Sequence, residues 1–262
     1  MAMLPSYYIP HGGGPCFFMD DPAGLWSGMA AFLRGLPAAL PEKPRAILVI
    51  SGHWETRGFT LTSSAQHSLL FDYYGFPPHT YQLRYDAPGA PELAEQAAQL
   101  LRDAGFYARL DPARGLDHGV FVPLKVALPE ADIPVVELSL DASLDASLHL
   151  AAGRALASLR SEGVLILATG MSFHNLGAFG DPRMLLPSLQ FDTWLNAAVG
   201  AATAARTHAL THWHDAPSAR LCHPRHEHLL PLMVAAGASH GAGHRIYNEQ
   251  VLGSMISGYR FD

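Results

Sequence analysis

The chain has 262 residues, 49% of them apolar and only 15% charged, with a formal net charge of −6. That balance predicts a large buried core rather than disorder, and it excludes the basic face of a nucleic-acid binder. Cys16 and Cys222 are the only cysteines, which excludes a CxxC pair or a disulfide framework and points to a reducing cytoplasm.

The opening Met-Ala-Met-Leu-Pro-Ser-Tyr-Tyr has no basic stretch and no long apolar stretch of a signal peptide. No apolar run reaches membrane-spanning length, so a soluble cytoplasmic protein is expected, with neither membrane nor nucleic acid as partner. No repeat, low-complexity tract or linker divides the sequence, and residues 1–262 are expected to form one domain.

In chain order, strands are expected over Ser6–Pro10, Ala46–Ser51, Pro134–Leu140 and Val164–Thr169, the middle two rich in Ile and Val. Helices are expected over Leu25–Leu40, Pro91–Ala104, Val120–Leu128, Asp145–Ser161, Ser188–Ala204 and Arg225–Ala236. Pro91 suits the first turn of its helix and Gly105 its C-terminal stop. Alternation of this kind predicts an α/β fold with a central, mostly parallel or mixed sheet flanked by helices.

Histidine is the outlier, at 15 residues against 17 Lys and Arg. Imidazole is the commonest metal ligand and the usual acid–base near neutral pH. Three expected strands each lead into a histidine: Tyr7-Tyr8-Ile9-Pro10 into His11, Ile47–Gly52 into His53, and Val164–Gly170 through Met171-Ser172-Phe173 into His174. Open α/β sheets bind ligands at the C-terminal ends of their strands. If the three strands are parallel neighbours, three imidazoles share one cleft.

Each segment also has a plainer reading. His11-Gly12-Gly13-Gly14-Pro15 suits a glycine turn; it lacks the third glycine of a dinucleotide fingerprint and is not a P-loop. In Ser51-Gly52-His53-Trp54-Glu55, Glu55 either orients an imidazole or is solvated. In Gly115-Leu116-Asp117-His118-Gly119, Asp117 suits a helix N-cap, which leaves His118 exposed at a helix start. Five histidines fall between His212 and His228. His212-Trp213-His214 reads as a surface loop, while Pro224 opening a helix would put His226, Glu227 and His228 in its first turns, where only one of Glu227 and His228 can face a shared site well. There is no HExxH and no GxSxG. The aromatic block Asp72-Tyr73-Tyr74-Gly75-Phe76-Pro77-Pro78 with Tyr81 suits either a pocket for a planar ring or ordinary loop packing.

Together these motifs resemble the class III extradiol ring-cleavage dioxygenases, in particular the DOPA 4,5-dioxygenase-like branch. The likeness rests on His11 in its glycine loop, Ser51–Glu55, Gly115–Gly119, Ser172-Phe173-His174-Asn175-Leu176 and Pro224–Pro231. Tyr73–Pro77, Tyr81–Tyr85, Ala87–Gly89 and Ala131–Ser139 add to it, so nearly the whole chain is covered.

The resemblance implies a catalytic domain that opens a catechol-type aromatic diol with O2 on non-haem Fe(II). It implies His11, His53 and His228 as metal ligands, His174 beside the metal as a fourth ligand or as acid–base, and His118 as the acid–base or substrate-contacting group. Two-His-one-carboxylate chemistry favours Glu227 as third ligand; the resemblance favours His228. Four histidines on one tetrahedral Zn(II) leave no open position, so zinc is expected only as the ion of a resting or purified form. Gly-Gly-Gly-Pro-Cys replaces the family's Gly-Ser/Thr-Pro in the first loop, which bears on substrate choice. Arg57 and Arg225 are candidates to pair with a substrate carboxylate. A zinc-dependent hydrolase and a non-enzymatic binding protein are the rival readings.

Overall fold

Four strands with almost no polar residues need a layer on both of their faces, and the computed structural model, which describes residues 3–262, gives them one. Among the described residues β1 (Ser6–Pro10), β2 (Ala46–Thr56), β3 (Phe59–Thr62), β4 (Ala108–Asp111), β5 (Val135–Asp141), β6 (Val164–Gly170), β7 (Gly243–Val251) and β8 (Ser254–Phe261) form one sheet in the order β4-β3-β5-β2-β6-β1-β8-β7. The central strands β5, β2, β6 and β1 are mutually parallel; β8 and β7 join antiparallel at one edge. The sheet is mixed, as expected.

The helices are α1 (Ser27–Gly35), α2 (Pro91–Asp103), α3 (His118–Ala127), α4 (Ala146–Leu156), α5 (Leu185–Gly200), α6 (Thr203–Thr211), α7 (Ala219–Cys222) and α8 (Leu230–Gly237). Alternate residues of a strand face opposite sides. Leu48, Ile50, Val136, Leu138, Ile166 and Ala168 therefore pack with α2, α4 and α8, while Ile47, Val49, Leu165 and Leu167 pack with α1 and α3. Both faces are covered, which is why these strands read as unbroken apolar runs.

Four expected helices differ, the one over Asp145–Ser161 by ending as α-helix at Leu156 and continuing as a 3-10 turn to Glu162. The one drawn over Arg225–Ala236 begins only at Leu230, leaving Glu227-His228-Leu229 in a turn. Pro231 has no amide hydrogen to give to residue 227, so it belongs in a first helical turn rather than an interior. The helix expected over Leu25–Leu40 stops at Gly35, and Pro37 opens a separate 3-10 turn. Residues 188–204 break at Ala201 and Ala202, both extended, between α5 and α6. Strands β3, β4, β7 and β8 were not expected; β4 and β7 carry polar, solvent-facing residues and lack the apolar runs that reveal the centre.

α8 lies against β1, β2 and β6. The approach is tight at Gly170, where a Cβ would collide with the backbone carbonyl of His228. Gly170→Ala is expected to lower unfolding free energy by roughly 1–3 kcal/mol through overpacking, measured by denaturant titration; unchanged stability would show that the contact can yield.

Candidate metal centre

Because β2, β6 and β1 are parallel neighbours, residues far apart in sequence finish at one edge of the sheet. His11 follows β1, and its amide donates to the Gly170 carbonyl at the end of β6 (3.3 Å). Gly12 holds φ +80, and a side chain there would run into Cys16 and Phe17. That left-handed turn lets the Gly12 carbonyl accept from His11 Nδ1 at 2.9 Å. A carbonyl only accepts, so Nδ1 carries the proton and Nε2 presents a lone pair. This Nε2 is buried and has no hydrogen-bond partner.

His53 sits in an irregular stretch of β2. Pairing with β5 moves from Ile50–Leu138 to Glu55–Leu140, five steps on one strand against two on the other. Bulges of this kind re-aim side chains and are common beside active sites. Below it, Ser51 Oγ accepts from the His53 amide (3.1 Å) and donates to Asp117 Oδ1 (2.8 Å). Asp117 occupies the N-cap position of α3 but makes no side-chain cap bond. Its carboxylate serves Ser51 and Arg114 Nη2 (3.0 Å) instead, and Arg114 lies over the Trp54 ring. Burial, together with the nearby Asp117 carboxylate, pushes the Glu137 carboxyl well above its usual range.

His118 is not exposed as expected but 5% accessible. Its Nδ1 (2.8 Å) and its amide (3.0 Å) both donate to Asp72 Oδ1, and Asp72 Oδ2 lies 3.6 Å from His53 Nδ1. Burial alone would raise the Asp72 carboxyl, but the His118 bonds outweigh it and hold the pKa below the ordinary value. On the other side, Glu227 Oε1 receives His228 Nδ1 at 2.9 Å and lies 3.2 Å from His174 Nδ1. Both Glu227 and His228 thus reach the cluster, contrary to the helical expectation, because they lie in a turn. Burial would raise the Glu227 carboxyl too, yet the two imidazoles overcome it and keep it ionised. The His228 carbonyl is fixed by Tyr8 Oη (2.8 Å) and the Met171 amide (3.1 Å).

The rings converge. Centroids of His11, His53 and His228 lie 4.6–5.1 Å apart, and His118 is 3.9 Å from His53. His53 Nε2 and His228 Nε2 are 3.1 Å apart. With their Nδ1 edges turned to carboxylates, these two nitrogens repel as lone pairs unless a proton or a cation sits between them. Two nitrogens each about 2.1 Å from one ion at a right angle would stand about 3.0 Å apart. Together with the orphaned His11 Nε2, the set fits a divalent cation. Ligand atoms of His11, His53 and His118, and separately those of His174, Glu227 and His228, lie within 4.8 Å of one another. His174 stacks on His228 with centroids 3.4 Å apart.

Of the other late histidines, His212 and His214 are exposed, His223 is buried against the Ser172 carbonyl, and His226 bonds the Leu144 carbonyl. Glu55 does not orient an imidazole: it pairs with Arg225 (2.5 Å to each oxygen), which also lies 3.3 Å from Glu227 Oε2. Arg57 borders a different depression with Tyr107 and Arg109. The imidazoles open into a cavity of about 640 Å³, whose wall includes Tyr73, Tyr74 and Phe76 from the aromatic block but neither Pro77 nor Tyr81. Asp72 was not singled out from sequence; a lone carboxylate heading an aromatic block was its only signal.

A family model described as the catalytic LigB subunit of aromatic ring-opening dioxygenase matches residues 5–260. The chain belongs to that family. It is an extradiol ring-cleavage dioxygenase of the DOPA-dioxygenase-like branch. This LigB-family chain is 38% identical to the dioxygenase tasH of Hapsidospora irregularis, over 99% of its own length and 86% of that protein. It is 38% identical to the 4,5-DOPA dioxygenase extradiol of Beta vulgaris (89% and 86%) and 35% identical to the protein of that name in Escherichia coli (91% and 86%). The crystal structure of an uncharacterized Escherichia coli K12 protein superposes with TM-score 0.79 at 30% identity, covering 99% of this chain and 100% of that one. No helix among the described residues is long and apolar enough to cross a membrane.

Burial and mutual proximity hold the His11 and His53 rings well below the ordinary imidazole range; burial brings His228 down to about 4, although Glu227 opposes the shift. These rings are neutral in the metal-free fold and charge first in the unfolded chain. Stability is therefore present above the unfolded value near 6.5 and is lost as pH falls through the lower folded values. Chelator-treated protein is expected to lose more than about 2 kcal/mol of unfolding free energy between pH 7 and pH 5. A flat profile in denaturant titrations would contradict buried neutral rings.

Proposed function

We propose that residues 1–262 form one catalytic domain that cleaves the ring of a catechol-type substrate with O2 on Fe(II). In this reading His11, His53 and His228 hold the metal. The observation that carries it is the approach of His53 Nε2 to His228 Nε2 at 3.1 Å beside the partnerless His11 Nε2. Glu227 turns its carboxylate to the Nδ1 edges of His174 and His228, which favours His228 over Glu227 as third ligand and gives Glu227 the role of orienting it. His11, His53 and His228 would hold Fe(II), which when bound would supply the redox chemistry for a ring diol and O2.

The chain's own groups do the proton work. His174 stacks on His228 with its Nδ1 3.2 Å from the Glu227 carboxylate, a partner suited to an imidazolium, which favours His174 as acid–base over a tight fourth ligand. His174 takes a proton from a ring hydroxyl, Glu227 Oε1 steadies the resulting imidazolium, and the proton returns to the product. His118, its Nδ1 committed to Asp72, turns its other nitrogen to the substrate from the Asp72 side. Apolar walls limit water around the diol. Zn(II) in the same site is read as a resting occupant. Family membership disfavours the zinc-hydrolase and binding-protein alternatives. Two buried, unpaired cysteines support a cytoplasmic setting.

Fe(II)-loaded protein mixed anaerobically with a panel of catechols and then exposed to air is expected to consume O2 and give a yellow ring-fission product. His118→Ala should keep the metal and lose turnover by about 100-fold or more, whereas His53→Ala should lose both. Metal retention by His53→Ala, or no coloured product with any catechol, would refute the assignment.

A further inference from the structure

The cavity wall away from the imidazoles carries no cation. Trp26, Phe76, Leu176, Phe179 and Leu252 supply much of it, and among the described residues no Lys or Arg lines it. Among the described residues the one carboxylate on its surface is Asp72, which already serves His118 and faces His53. A substrate carboxylate entering here would lose its water and meet a negative group. The two arginines that the sequence offers are occupied or remote: Arg225 is held by Glu55 and Glu227, and Arg57 borders another depression.

Two further observations mark the wall as apolar. Tyr74 and Leu176 line the cavity yet are 92% and 75% exposed, so its mouth is a greasy rim. Leu252 holds φ +48 beside Gly253 at φ +78 in the tight turn joining β7 to β8, a position that usually takes Asn or Gly. A branched side chain is kept in a disfavoured backbone region, and its side chain lines the cavity. At about 640 Å³ the space matches cavities that enclose drug-sized ligands, about 300–1,000 Å³, and exceeds the need of a bare catechol.

We propose that this chain selects catechols carrying an uncharged, bulky apolar substituent, lodged against Trp26, Phe76, Leu176, Phe179 and Leu252, over catechols bearing a carboxylate or an amine. The proposal rests on the reading that the ring diol sits at the imidazole cluster. The substituent, rather than the diol, then sets specificity, and this wall is where it is read.

Anaerobic Fe(II)-loaded protein titrated by calorimetry with 4-phenylcatechol, dihydrocaffeate, DOPA and dopamine tests it without turnover. 4-Phenylcatechol is expected to bind at least about tenfold more tightly than the charged ligands: a carboxylate loses hydration and finds no cation, and an ammonium finds only Asp72, which His118 already engages. Equal or tighter binding of any charged catechol, or no binding of 4-phenylcatechol, would overturn the proposal. Leu176→Arg, a substitution at an exposed site, is expected to narrow the preference over dihydrocaffeate about two- to fivefold; an unchanged ratio would remove Leu176 from the wall that reads the substituent. Admitting air afterwards separates the two claims: cleavage of none of the four catechols would count against ring opening at the imidazole cluster, while the binding ratios alone decide the preference.

Discussion

Crowding of imidazole nitrogens in a largely buried cluster is the constraint on which the centre turns. Each ring has its Nδ1 edge directed to an acceptor, a carbonyl for His11 and a carboxylate for the others. Where Nδ1 donates, Nε2 is left as the lone-pair bearer, and the Nε2 atoms of His53 and His228 stand 3.1 Å apart, close enough to share a proton or a cation. In the metal-free fold that crowding is a cost. With a divalent ion among them, the same nitrogens become a ready coordination set, and the two carboxylates behind them raise the basicity of the rings they touch.

The sheet makes this crowding possible by topology rather than by any local motif. Parallel β1, β6 and β2 lie side by side, so the segments leaving them meet without a long loop. The extra residues in β2 bend His53 out of the ladder, and Gly170 lets the turn carrying His228 close over β6. Behind the rings, Ser51, Asp117 and Arg114 form a buried polar brace. A polar network of this kind gives position more than net stability. On the proposed reading, backbone geometry at one edge of the sheet would set the metal chemistry, while the loops and the β7–β8 turn above it would set substrate choice.

Much of this was legible in the sequence because strand ends advertise themselves. The runs before His11, His53 and His174 are apolar and break at Pro10, Ser51-Gly52 and Gly170, so the central strands were readable, while their parallel neighbourhood entered only as a condition. The turn carrying Glu227 and His228 was not, because Pro224 looked like a helix opener and the better-placed Pro231 outcompeted it. His118 seemed destined for solvent, since nothing in Asp117-His118-Gly119 shows that Asp72, 46 residues earlier, would cover it. Asp72 itself was hidden for the same reason: a carboxylate gains meaning only from the long-range neighbours it meets. Leu252 was equally silent, as its contribution depends on a hairpin whose strands are polar on one side.

Iron-edge anomalous scattering from crystals of the Fe(II)-loaded protein tests the shared site most directly. One strong peak is predicted, about 2.1 Å from the Nε2 atoms of His11, His53 and His228 together, with Glu227 beyond bonding distance. A peak bound by the Glu227 carboxylate, or one that leaves any of these three imidazoles out, would contradict it.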